Sequence, residues 1–146
     1  MKIAISCDHA AVDQKNELIK YLENQGHTVT NFGTDSNDSV DYPDYAVKAA
    51  EDVANANSER GIIICGSGIG VSISANKVKG IRAALCYNEE TSKLSRQHNN
   101  ANVMCYGARF IDIDTAKKMV DNFLNTEFEG GRHQNRVDKI HSLTGC

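Results

Sequence analysis

No apolar run in this 146-residue chain is long enough to cross a membrane. The apolar stretch in the opening Met1–Asp8 is too short for a secretory signal, so the sequence reads as cytoplasmic. Without such a signal, the sequon Asn37-Asp38-Ser39 carries no glycosylation meaning. An excess of positive charge is also missing. The formal net charge is -3, which argues against a nucleic-acid partner or an anionic membrane surface. The five cysteines (Cys7, Cys65, Cys86, Cys105 and Cys146) are odd in number and contain no Cys-x-x-Cys pair. That speaks against a disulfide framework and against a tetrahedral zinc site. Cys7, Cys86 and Cys105 read as small buried hydrophobes near strands. Proline occurs once, at Pro43, and there are no repeats, low-complexity tracts or linkers. What remains has an ordinary globular composition, 40% hydrophobic and 24% charged. One domain over residues 1–146 is expected.

Apolar periodicity and turn residues divide the chain into alternating strands and helices. Strands are expected at Lys2–Ser6, Thr28–Phe32, Gly61–Cys65, Ile81–Cys86 and Asn102–Tyr106. Helices are expected at Ala10–Asn24, from Pro43 to about Asn57, at Gly68–Asn76, Asn88–Gln97 and Asp112–Asn125, and roughly over Gly131–Ser142. Pro43 suits a first helical turn, and Asp112 or Asp114 suits a cap. Gly61–Cys65 is apolar without alternation, as a strand buried on both faces should be. The alternation predicts α/β architecture: a three-layer αβα sandwich around a five-stranded, parallel, Rossmann-like sheet.

In such a sheet, ligands bind beyond the carboxyl ends of the strands, where the strand order reverses. Two strands end in Cys7-Asp8-His9 and Cys65-Gly66-Ser67-Gly68, and Gln97-His98-Asn99-Asn100 precedes the last strand. These three polar clusters are expected to gather at one site. In Cys65-Gly-Ser-Gly-Ile-Gly-Val-Ser72 the alternate glycines let backbone approach a ligand, and the following helix aims free N–H groups at it. The loop therefore suits an anion or a developing oxyanion. A thiol at such a helix start is favoured as thiolate, so Cys65 is a candidate base or nucleophile. The P-loop string Gly-x-x-x-x-Gly-Lys-Ser/Thr is absent. Val71 stands where a dinucleotide loop needs glycine and where a cysteine phosphatase loop needs arginine. Arg132 and Arg136 are four apart and share a helix face, which suits either a phosphate or a solvated basic surface. Arg109 is a third candidate of that kind. His98 is either a capping cation or a proton shuttle. His27, His133 and His141 read as surface residues.

Five segments in order resemble the ribose-5-phosphate isomerase B family and its sister sugar-phosphate isomerases. They are CDHAA (Cys7–Ala11), DYPDYA (Asp41–Ala46), CGSGIGVSISANK (Cys65–Lys77), HNNANV (His98–Val103) and GGRHQNRV (Gly131–Val137). The resemblance implies an aldose–ketose isomerase working through an enediolate, with no metal and no other cofactor. It implies Cys65 as the base between carbon 1 and carbon 2, with Ser67 handling the neighbouring hydroxyl proton. His98 would donate a proton in ring opening, together with Asp8. The amides of Gly66, Ser67, Gly68, Ile69 and Gly70 would hold the enediolate oxygen. His9, Arg109, Arg132 and Arg136 would hold the phosphate, Asn99 the sugar hydroxyls, and Tyr42 would line the pocket. It further implies a homodimer or homotetramer in which His98, Asn99 and the arginines come from the second subunit. Val71 stands where one branch of the family has a glutamate base, which assigns this chain to the cysteine branch. Ribose 5-phosphate is the first substrate expectation and a six-carbon sugar phosphate, allose or galactose 6-phosphate, the alternative. An idle phosphosugar-binding module would lack the base, and a thiol redox protein would need an adjacent resolving cysteine.

Overall fold

The structure is a computed structural model that describes all of residues 1–146. Its strands are β1 (Lys2–Cys7), β2 (Thr28–Asn31), β3 (Arg60–Cys65), β4 (Ala83–Leu85) and β5 (Val103–Gly107). Its helices are α1 (Val12–Asn24), α2 (Pro43–Ala54), α3 (Ile69–Ala75), α4 (Glu89–Asn99), α5 (Ile113–Asn125) and α6 (Arg132–Thr144). All strand pairs are parallel, in the order β2-β1-β3-β5-β4. The α/β expectation therefore holds, with most boundaries moved by one to three residues.

Four of the differences have a local cause. The first helix starts at Val12 because the Asp8 carboxylate and carbonyl take the N–H groups of Ala10 and Ala11 in a tight turn. The second stops at Ala54, short of Asn57, because Ala56 adopts φ +59°. The fourth strand is only three residues long because it lies at the sheet edge and pairs with β5 alone. Asp112, not Asp114, caps α5 by accepting from the Thr115 N–H at 2.9 Å.

Successive strand residues point to opposite faces, and both faces are covered. Ile3, Ile5, Ile62, Ile64, Met104 and Tyr106 bury against α1 and α5. Ala4, Ile63, Cys65, Val103 and Cys105 bury against α2 and α3. Two buried faces explain why Gly61–Cys65 shows no polar alternation. The reversal of strand order lies between β1 and β3, which opens a crevice beyond their carboxyl ends. Helices in such a sheet run back toward the amino ends of the strands. The carboxyl end of α4 and the start of α6 therefore lie at the opposite end of the sheet from that crevice.

Candidate active site

A cleft of about 450 Å³ occupies the crevice. The turn after β1 brings Asp8 and His9 to it, and the turn after β3 brings Cys65, Gly66 and Ser67. Ile69 and Gly70 of α3, Tyr42 before α2 and Arg109 after β5 complete the expected set on this side. Gly68 lies beneath the loop, buried at the cap of α3. It adopts φ +79°, and a Cβ there would come within 2.7 Å of the Tyr106 carbonyl carbon. Only glycine permits both the conformation and the approach. Gly70 leaves room for a neighbour instead: a Cβ would stand 2.4 Å from Cζ of the Tyr42 ring, which would have to move aside.

That turn sets the thiol. The Gly68 N–H donates to Cys65 Sγ at 3.0 Å, and Cys65 is 4% exposed at the cleft floor. A sulfur accepting a backbone N–H is an arrangement suited to negative charge. The other buried thiols are insulated. Burial pushes Cys7 up to about 12 and Cys86 up to about 11, and it also raises Cys105. Ser67 is exposed, and its Oγ accepts from the Ile69 N–H at 3.3 Å. The Arg109 side chain lies over Gly66, while its own N–H donates to the Gly66 carbonyl at 3.1 Å. Val40 donates its N–H to His9 Nδ1 at 3.2 Å, which leaves Nε2 as the free donor of that imidazole.

The remaining expected residues are not in this cleft. His98 and Asn99 end α4, and Arg132 and Arg136 stand on the first turns of α6. Within one chain, therefore, the Gln97–Asn100 cluster does not join the two strand-end clusters. A segment that precedes a strand lies at that strand's amino end, whereas Asp8 and Cys65 lie at carboxyl ends. Six-residue β3 separates the two ends by about 17 Å. His133 corrects one expectation. It is buried, not on the surface, and its ring stacks on that of His98 at 4.3 Å and 8°. His27 and His141 are half-buried, the latter 3.0 Å from Arg82 Nη1 through Nε2.

One cleft residue type, one loop and one sheet order now stand together, and the family model described as Ribose/Galactose Isomerase matches residues 3–140. The chain belongs to the ribose/galactose isomerase family. It is 44% identical to the ribose-5-phosphate isomerase B of Escherichia coli strain K12, over 97% of this chain and 95% of that protein. The ribose-5-phosphate isomerase B structure from Clostridium thermocellum superposes with TM-score 0.97 at 48% identity, covering 99% of this chain and 98% of the other. That of Mycoplasma genitalium with bound ribulose 5-phosphate superposes with TM-score 0.94 at 42% identity, covering 99% and 96%. Likeness at these levels extends the isomerase-family fold over the whole sheet and both ends of it.

Within this isomerase-family chain several residues at the two ends had no reading from sequence. Ala10 and Ile73 line the cleft, and Ile73 could be inferred as the residue one turn after Ile69 on the same exposed helix face. The Val40 amide that holds His9 has no signal, because a backbone group carries none. Glu129 faces His133 Nε2 at 3.6 Å and His98 Nε2 at 3.9 Å. Its only sequence signal is the four-residue spacing from His133. A larger cavity of about 630 Å³ lies among α3, β4 and α6, away from Cys65. Of the expected site residues it contains Asn99 alone.

Proposed function

We propose that this chain is a ribose-5-phosphate isomerase that moves a proton between carbon 1 and carbon 2 of the open-chain sugar phosphate. The observation that carries this reading is Cys65, held by the Gly68 N–H at the floor of a cleft that also presents loop amides, the His9 imidazole and the Arg109 guanidinium. Enolisation needs a base, donors where the oxyanion develops, and a handle for the dianionic phosphate. The Cys65 thiolate takes the proton from carbon 2 of the aldehyde form, and electrons flow to the carbonyl oxygen to give an enediolate. The N–H groups of the 66–70 loop stabilise that oxygen. Ser67 passes the hydroxyl proton between the two oxygens, and the Cys65 thiol returns its proton to carbon 1. No external oxidant or reductant enters, because the aldose and the ketose are isomers.

Ring opening is assigned to His98, with Asp8 beside the ring oxygen, and phosphate binding to His9, Arg109, Arg132 and Arg136. Within one chain His98 and the α6 arginines are too far from Cys65 to share a substrate. A second copy related by a twofold axis meets the requirement, each copy lending its His98–Arg132–Arg136 end to the other's Cys65 cleft. Ile69, Ile73, Leu85, Tyr87 and Phe110 are exposed apolar side chains, all on segments at the carboxyl edge of the sheet. A dimer face there would cover them. Rates on ribose 5-phosphate, allose 6-phosphate and galactose 6-phosphate test the substrate assignment. The expected order puts ribose 5-phosphate first, and a strong preference for either hexose phosphate would overturn it.

A further inference from the structure

His98 ends α4, half-exposed, on a side chain with two rotatable bonds. A proton donor in that position needs something to fix its ring. The segment joining α5 to α6 supplies it. The Glu129 N–H donates to the Gln97 carbonyl at 3.1 Å, tying this segment to the last turn of α4. The chain then turns through Gly130 and Gly131 into α6, whose second residue is His133. The His133 ring is 7% exposed, against 39% for His98, and the two planes lie parallel at 4.3 Å. No atom fits between rings at that distance. The Nε2 atoms of both rings face the same Glu129 Oε2, at 3.6 Å and 3.9 Å.

The charges around this pair are unequal. His98 faces His133 from α4, Glu129 from the connecting segment, and Arg132 and Arg136 from α6. Two stacked imidazolium rings beside two arginines would repel, and one carboxylate offsets one positive charge. Burial, His98 and Arg132 hold His133 below the ordinary imidazole range, against the opposing pull of Glu129.

We propose that His133 is a positioning residue for His98, its buried ring fixing the plane of His98 by stacking while the Glu129 carboxylate, faced by both Nε2 atoms, fixes the direction in which that ring points. This rests on the reading of His98 as the proton donor. It also gives the arginines and the donor a common mount, since Arg132 and Arg136 flank His133 on one helix.

The test uses the full-length chain with His98→Asn, His133→Ala, His133→Phe and Glu129→Gln. Each variant is read by kcat, KM, the pH profile of kcat, and imidazole ¹⁵N resonances. His133→Ala should lower kcat about tenfold or more while KM moves much less, as expected for a misaimed reacting group. It should also change the His98 resonances. His133→Phe keeps a stacked ring and should restore most of kcat. Glu129→Gln should lower kcat less than His133→Ala, because it weakens the carboxylate contact of both Nε2 atoms and leaves the stacked ring in place. Wild-type kcat in His133→Ala, beside an inactive His98→Asn, would overturn the positioning role and leave the donor reading standing. A fully active His98→Asn would overturn both. Should His133→Ala fail to fold, a His133→Phe chain that folds but is as inactive as His98→Asn would also overturn the proposal.

Discussion

At the scale of single residues, the five cysteines separate by environment. Three are buried with raised pKa values, and Cys65 alone has its sulfur both hydrogen-bonded to a loop amide and open to a cleft. Cys65→Ala is expected to abolish turnover while leaving phosphate binding largely intact, measured by phosphate titration beside the steady-state rate. Equal loss of both would make Cys65 structural. Arg136 is exposed, and no carboxylate of its own chain lies within ion-pair range. Arg136→Ala should weaken substrate binding by about 1.5–3 kcal/mol, the range for a charge-assisted contact. An unchanged KM would remove Arg136 from the phosphate site. The buried thiols make a separate prediction about stability. Their ordinary value is 9.0, and Cys7 and Cys86 rise to about 12 and about 11 in the folded chain. A raised folded pKa stabilises fully below the unfolded value and less as pH climbs through the interval. Above pH 9 the unfolded thiols lose protons while the folded ones keep theirs. Stability should then fall by about 1.4 kcal/mol per pH unit for each such thiol. Thermal melts from pH 8 to 11 would check this, and Cys7→Ala should reduce the slope.

At the scale of elements, the site depends on turns more than on helices. The segment after β2 illustrates the point. Lys15 of α1 is fully buried, donates to the Thr34 carbonyl at 2.8 Å and pairs with Asp35. Cys7 donates to the same carbonyl at 3.6 Å. These contacts anchor a polar segment whose Val40 amide holds His9. Lys15→Met should destabilise the fold by about 1–3 kcal/mol, because a buried acceptor loses its donor. It should also raise KM through a loosened His9. Denaturant melts and kinetics would separate the two effects, and a normal KM would sever Lys15 from the site. A sequence reader sees a lysine inside an amphipathic helix and assigns it to solvent, since lysine is almost never fully buried unless paired. The partners that overrule this come from a loop 19 and 20 residues away. The glycine loop, by contrast, was legible. Alternate glycines before a short helix have few uses other than close backbone approach, and both Gly68 and Gly70 are crowded as expected.

At the scale of the whole molecule, the sheet order places half of the expected site beyond reach of the other half. The proposed twofold arrangement predicts complementation. Cys65→Ala and His98→Asn chains are each expected to be inactive. After unfolding and refolding together in equal amounts, half of the dimers should be hybrids with one intact site. The mixture should then recover about a quarter of wild-type activity, as an isologous shared site requires. No recovery would mean that each site is built within one chain. The sequence by itself determined the alternating elements, the thiol at the glycine loop, the absence of nucleotide and phosphatase patterns, and the family resemblance. All of these are local: they depend on residue type and spacing along a few turns of chain. Only the tertiary structure decided that His98 and Cys65 stand at opposite ends of the sheet, that His133 is buried against His98, and that Lys15 lies inside. Those facts follow from strand order and crossover direction, which bring together residues that no local pattern links.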